Sequence, residues 1–388
     1  MVPHVYAEDI RVREIELARA LRRYFEVYCL KWTDASHGIS GGPVRRRWLQ
    51  WRRAAAAFFS RTNDETRRDG LRLVEVPVLQ PILLRRLVGE DAALRLSRRW
   101  NGRGLERVAE RLRITHLLLS GSIFGIPRLA GVRFFYDIVD WFAEEKATGR
   151  EMRAVRAEIR ALAARADGFF VVSEPLAEKL RQEYALECTV LPNGADLTAL
   201  RRVPASDSEA LRERWNSRGK YVIGYIGNHA EFCGVDFAER AFQLVRKKMP
   251  DAVLWIVGPA EYWRPRLEGS PGVIFTGGIP PSQIAPYFHA IDLGLLAKDK
   301  SALTEFAFHL KVVEYSACRK LVVSTPLETW RRLAWPNVRL VEPDPAEWAA
   351  AIIAAREANW LPEWDKLVDA FDWSALAERA AAVMLGRD

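Results

Sequence analysis

From residue 220 onward, short apolar runs rich in Val, Ile and Leu alternate with amphipathic stretches, and this alternation limits the possible folds more than any other feature. Tyr221 to Gly227, Ala252 to Gly258, Val273 to Gly278, Asp292 to Ala297, Leu321 to Ser324 and Val338 to Glu342 read as strands. The segments Asp236 to Met249, Pro281 to Ala290, His309 to Arg319 and Pro345 to Glu357 read as helices between them. Strands that are apolar throughout, rather than at every second residue, must be covered on both faces, which predicts a parallel sheet wrapped by helices. Several of these strands end in glycine, at Gly227, Gly258 and Gly277. Ligands of open α/β sheets sit beyond the carboxyl ends of the strands, where a residue without a side chain lets them approach the backbone.

The first half repeats the theme less regularly. Pro3 to Tyr6, Phe25 to Trp32, Leu71 to Val78, Thr115 to Ser120, Arg133 to Asp140, Gly168 to Ser173 and Cys188 to Leu191 read as strands of a second parallel sheet. The turn Leu191 to Asp196, LPNGAD, and the polar stretch to Lys220 close that unit. The expected division is residues 1–200, a linker at 201–219, a second unit at 220–365, and a terminal helical stretch at 366–388. With 388 residues the chain is long enough for two cores of ordinary size.

Within FHLKVVEYSACRKLVVST, Phe308 to Thr325, Lys311 and Glu314 stand one turn apart at the start of a predicted helix. Residues at i and i+3 share a helix face, so a surface ion pair worth a few tenths of a kcal/mol is the plain reading. The order argues for more. A lysine in the first turn opposes the helix dipole, and Glu before Lys is the stabilising arrangement. A cation among outward-pointing backbone N–H groups suits an anion such as a diphosphate, with the glutamate left to accept hydrogen bonds from sugar hydroxyls.

The stretch LTEFAFHLKVVEYSACRKLVVSTP resembles the donor-site signature of retaining GT-B glycosyltransferases, family 4 of the group 1 transferases. The resemblance implies two Rossmann-like parallel-sheet domains facing a cleft, with a C-terminal helix crossing back to the N-terminal domain. It implies that Glu314 holds the ribose hydroxyls of a nucleotide and that Lys311 is the lysine of a K-x-x-E variant. The family often carries another Glu eight residues earlier, where this chain has Phe306; Glu305 is one position out of register. ADGFFVVSEPLAEKL and LPNGAD, between Ala166 and Asp196, are similar to further family elements, Ser173 reading as an N-cap and Asn193 with Gly194 as turn residues.

The remaining expected contacts follow the same comparison. GYIGNHAEFCGVDF sits where the family places a diphosphate loop, so backbone N–H groups of Gly227 and Asn228 are expected anion donors. Cys233 and Gly234 stand where related loops offer Arg or Lys, which transfers charge neutralisation to Lys311 with Lys298 and His309 as helpers. Gly258, Pro259, Gly278 and Ile279 are expected around the nucleobase, and Leu310 and Val312 beside the donor. FFYDIVDWFAEE places Asp140 first and Asp137 second as acidic residues of the acceptor side; the alternative for either is a helix cap or an arginine pair. The two do not form a DxD motif and no other cluster has hard-cation spacing, so no metal is expected. His116, in an apolar strand, reads as a satisfied core histidine.

The formal charge of +8 is uneven: Arg45 to Arg113 hold 18 Arg against 8 Asp plus Glu, leaving the rest slightly acidic. VRRRWLQWRRAAAAFFSR, Val44 to Arg61, joins Arg45, Arg46, Arg47, Arg52 and Arg53 to Trp48 and Trp51, the makeup of a helix lying on anionic lipid or, alternatively, of a packed helix with solvated arginines. HGISGGP, His37 to Pro43, reads as a flexible acceptor-side loop. No nucleic-acid module is recognisable. The four cysteines are dispersed and read as buried thiols, no apolar run approaches twenty residues, and Met1 to Arg13 lack an apolar core of a leader, so the expected location is cytoplasmic, at the inner face of a membrane. The function expected is glycosyl transfer from a nucleotide diphosphate sugar, a co-substrate and not a cofactor, to a lipid-linked or polysaccharide acceptor. The alternatives are a nucleotide-sugar epimerase or hydrolase on the same fold, and a non-catalytic GT-B-like partner subunit.

Overall fold

The structure, a computed structural model, describes residues 13–34, 65–68, 70–79, 88–120, 125–127, 129–141 and 149–387. The expected strand Pro3 to Tyr6, the loop His37 to Pro43 and the basic segment Val44 to Arg61 lie outside these residues.

Thirteen strands are described. They are β1 (Tyr28–Asp34), β2 (Glu65–Arg68), β3 (Leu71–Val78), β4 (His116–Ser120), β5 (Arg133–Ile138), β6 (Gly168–Val171), β7 (Thr189–Val190), β8 (Tyr221–Ile226), β9 (Ala252–Val257), β10 (Val273–Gly277), β11 (Leu293–Leu296), β12 (Leu321–Ser324) and β13 (Val338–Leu340).

The last six form one parallel sheet in the order β10-β9-β8-β11-β12-β13. Every residue of β8 and β9 is buried, which explains their unbroken apolar sequence. Side chains alternate between faces: Ile223 and Tyr225 meet Phe242 and Trp348 from the helices Val235–Lys248 and Pro345–Ala355, whereas Val222 and Ile226 belong to the core that holds Phe288 and Val312. Burying a side chain of this size stabilises the fold by about 1.5–3 kcal/mol. The order in which strands are added reverses between β8 and β11, from β9 and β10 on one side to β11, β12 and β13 on the other, and such a switch point opens a crevice at the strand ends. The predicted helix Pro281 to Ala290 divides into a 3-10 turn, Pro281–Gln283, and a helix, Ala285–Ala290. Pro286 has no N–H to give a preceding turn and is accommodated only where a helix begins.

In the first half, β4-β5-β6-β7 form a parallel sheet, and β1, β3 and β2 a separate one. β2 was not foreseen. It runs antiparallel to β3, with Gly70 at φ +79° turning the chain between them, so this half departs from the single parallel sheet expected. Its basic sequence, ETRR, carries none of the apolar signal that marks a strand.

The terminal helix Trp373–Leu385 returns to the first half. Leu376, Ala380 and Met384 pack with Leu118, Phe135 and Phe170, and Arg133 donates to the Met384 carbonyl at 2.5 Å. Gly194 permits the return: a Cβ there would lie 2.8 Å from both Trp373 and Leu376. Among the described residues no helix is long and apolar enough to cross a membrane.

Candidate functional site

The helix Leu310–Ala317 presents two faces. Val312, Val313 and Tyr315 are fully buried, while Lys311 and Glu314 look outward and pair at 2.6 Å. The local ion pair of the plain reading is thus present. What lifts it above a surface pair is its location. The buried Tyr315 hydroxyl accepts from Ile226 N at 2.8 Å, fixing the helix to the end of β8 at the switch point. The Lys311 stem then crosses to Gly227, where an added Cβ would lie 3.7 Å from Lys311 Cε.

A cleft of 740 Å³ opens there between the two halves of the chain. It brings together Asp140, Gly227, Asn228, Gly258, Pro259, Ile279, Leu310, Lys311 and Glu314. An adjoining cavity of 350 Å³ adds Lys298 and His309, and Asp140 borders both spaces. Two expected residues do not line either: Gly278, although Pro259 packs within 3.7 Å of its Cβ position, and Val312, whose side chain lies on the core face of its helix. Arg45, Arg46, Arg47, Trp48, Trp51, Arg52 and Arg53 lie outside the described residues.

Gly258 shows why glycine ends β9. Its φ is +119°, and a Cβ would fall 1.9 Å from the Gly227 carbonyl oxygen, so neighbouring strand ends close on each other only without a side chain. The same closeness corrects an expectation. Gly227 N–H donates to Val257 O at 2.9 Å and is therefore spent on the sheet, not offered to an anion.

Other carboxylates also separate by their partners. Glu305 accepts from Glu328 N at 2.7 Å, capping the helix Glu328–Leu333, so it is turned to structure and not to a sugar. Asp137 is fully buried and held by Arg13 through two hydrogen bonds, 2.9 and 3.1 Å, whereas Asp140 is exposed at the cleft. The same guanidinium donates to the carbonyls of Leu191 and Pro192, both at 2.7 Å, and to Asn193 Oδ1 at 3.3 Å. This buried arginine fixes the cleft wall, yet it went unnoticed in the sequence. Its helix, REIELARAL, looks like any charged amphipathic segment, and its partner is 124 residues away.

His229, His309 and His116 are accounted for by burial and by carbonyl partners. Desolvation lowers the pKa of His229 to about 4, with the nearby Lys298 ammonium acting in the same direction. Desolvation and then Lys298 lower that of His309 to about 4. His116 is also lowered, chiefly by desolvation, and contacts the Met384 carbonyl at 3.1 Å; it is satisfied as expected but half-buried at the start of β4 and not in the core.

For His229 and His309 the folded pKa lies below the unfolded one. The native state binds fewer protons between the two values, so their contribution is intact above the unfolded pKa and is lost as pH falls towards 4. Urea unfolding at pH 7.5 and 5 is expected to show a loss of about 2 kcal/mol per histidine. His309→Gln, which can still donate to Thr304 O, is expected to remove one histidine's share, about 2 kcal/mol, of the combined loss. A profile flat over this range contradicts neutral burial.

Residues 220–357 match the family model described as glycosyl transferases group 1. That match lies within the second half of the chain and takes in the sheet β8 to β13. Within 139 residues the chain is 35% identical to TuaH of Bacillus subtilis, provisionally named a teichuronic acid biosynthesis glycosyltransferase; the match spans 34% of this chain and 33% of that protein. Solved structures extend the likeness to the entire fold. A UDP-forming α,α-trehalose-phosphate synthase of Burkholderia xenovorans, in complex with glucose-6-phosphate, superposes with a TM-score of 0.70 at 11% identity, covering 99% of each chain. Anabaena HepE, in complex with UDP and glucose, gives 0.55 at 16% identity, covering 96% of this chain and 90% of its own. Sucrose-phosphate synthase of Thermosynechococcus elongatus gives 0.61 at 15% identity over 93% and 98%. The fold is GT-B, and the matched residues 220–357 supply Lys311, Glu314, Gly227 and Gly258 to its cleft.

Proposed function

We propose that the chain is a glycosyltransferase that moves a sugar from a nucleotide diphosphate sugar to a glycan or lipid-linked acceptor in polysaccharide biosynthesis. The observation that carries this reading is the meeting of Lys311 and Glu314 with the ends of β8 and β9 at a switch point inside a cleft between two sheets. The 740 Å³ space is of the size that takes a nucleotide-sized ligand. Glu314 accepts hydrogen bonds from the ribose hydroxyls, and Lys311 faces the diphosphate.

In the transfer, a bond forms between an acceptor hydroxyl oxygen and the anomeric carbon, the bond from that carbon to the diphosphate breaks with its electron pair going to the phosphate oxygen, and the hydroxyl proton passes to the Asp140 carboxylate. Charge grows on the departing phosphate, where a cation already in place stabilises it without reorganisation. Lys311 fills that role, and Lys298 adds positive charge beside the adjoining cavity. Asp140 is assigned to the acceptor hydroxyl because it borders both spaces. Retention of configuration and catalysis without a metal are part of the proposal, as is work at the inner membrane face through Arg45 to Arg53.

A second reading has one observation in its favour. Glu305 is committed to a helix cap and Phe306 occupies the place of the family's earlier carboxylate, as a non-catalytic partner subunit would allow. Product analysis separates the readings. UDP-glucose, GDP-mannose and ADP-glucose are each incubated with the protein, with and without a membrane lipid and glycan extract, and products are resolved by mass spectrometry. Acceptor-dependent glycosylation supports the proposal. Free or isomerised sugar formed without acceptor favours a hydrolase or epimerase, and no turnover favours the subunit.

A further inference from the structure

The loop that opens the donor helix is held from the other half of the molecule. Phe306 to His309 precede Leu310–Ala317, and Ala307, Phe308 and His309 line the 350 Å³ cavity. Within residues 220–357 this loop is anchored by the Phe308 ring, which sits 5.2 Å from Trp330. Two of its backbone carbonyls are claimed by side chains of the first half. Ser173 Oγ donates to Phe306 O at 2.5 Å, and Asn193 Nδ2 donates to Phe308 O at 3.0 Å. The Lys179 ammonium adds a contact over the Phe306 ring at 5.3 Å.

Asn193 is itself oriented. Its Oδ1 accepts from Arg13 Nη1 at 3.3 Å, which leaves the amide nitrogen to point at the loop. Arg13 is fixed in turn by Asp137 at the end of β5. A continuous path of hydrogen bonds thus runs from the acceptor-side sheet, through Arg13 and Asn193, to the residues immediately before Lys311. Turn chemistry alone does not require this, because a turn is satisfied by its own backbone.

We propose that Asn193 is a positioning residue that sets the shape of the sugar-binding part of the donor site, so that this site is complete only when both halves are docked. The inference rests on the donor reading above. The donor reading puts the nucleoside diphosphate in the larger cleft, which Asn193 borders, whereas the loop that Asn193 holds lines the smaller space beyond it. Loss of the Asn193 bond should therefore weaken the sugar's contacts and spare those of the nucleotide.

Asn193→Ala is the informative variant. It removes the donor facing Phe308 O without adding charge to the cleft. The probe is whichever of UDP-glucose, GDP-mannose and ADP-glucose binds the wild type in titration calorimetry, with its parent nucleoside diphosphate measured alongside. The expected result is a Kd for the nucleotide sugar raised about tenfold, the equivalent of one hydrogen bond, with the Kd for the free diphosphate within about twofold. The variant should melt close to the wild type. Unchanged sugar affinity overturns the proposal, and so does equal weakening of both ligands together with a large fall in Tm. Wild-type protein that binds none of the three overturns the donor reading itself, and the positioning role with it.

Discussion

Glu314→Ala is expected to reduce kcat/KM for the nucleotide sugar by about 10²-fold or more while leaving the fold in place. In the proposed donor site the carboxylate accepts from the two ribose hydroxyls, and bonds to a charged partner are worth about 1.5–3 kcal/mol each. Lys311 also loses the partner that orients it at 2.6 Å. The stability cost is small because the pair is partly solvent-exposed and a pair of this kind contributes about 0–1 kcal/mol. Glu314→Gln, which keeps an acceptor oxygen but no charge, should fall between the two. Steady-state kinetics with a fixed acceptor, accompanied by thermal melting, decide the matter. A Glu314→Ala enzyme within threefold of wild type would remove the residue from the donor site.

Arg13→Met is expected to produce the largest loss of stability. Its guanidinium satisfies a carboxylate whose side chain has no exposed surface, and two backbone carbonyls besides. Removing one member of a buried ion pair costs about 3–5 kcal/mol, because the remaining charge stays out of water without compensation. The Asp137 carboxylate would be left in this state, near the end of β5 in the first-half sheet. Replacing both, Arg13→Met with Asp137→Leu, should recover the share due to the unpaired carboxylate, while the Leu191 and Pro192 carbonyls still lack their donor. Urea unfolding followed by tryptophan fluorescence measures both variants. A single variant that loses less than about 1 kcal/mol would mean that the pair is not the anchor its geometry describes.

These two sites differ in how visible they are in the chain. The sheet β8 to β13 is legible because double-sided burial writes an apolar signal along each strand, and the glycines at strand ends mark where backbones close on one another, as Gly258 does on Gly227. Lys311 and Glu314 are legible because their order runs against what helix electrostatics favours. Other features leave no local trace. Arg13 is told apart from its charged neighbours only by a partner far along the chain. Glu305 looks available until the N-terminus of a later helix claims it. The expected anion donor at Gly227 fails because strand pairing continues one residue past the end of β8. Each of these is decided by a tertiary contact that no periodicity encodes.

Titration calorimetry of UDP-glucose, GDP-mannose and ADP-glucose into the wild type and Lys311→Ala asks most directly whether this cleft grips an activated sugar. One of the three should bind the wild type with one-to-one stoichiometry and bind Lys311→Ala about tenfold or more weakly, because a charged contact to the diphosphate is lost. Equal affinity for the two proteins, or no binding of any of the three, would contradict a donor site built on Lys311 and Glu314.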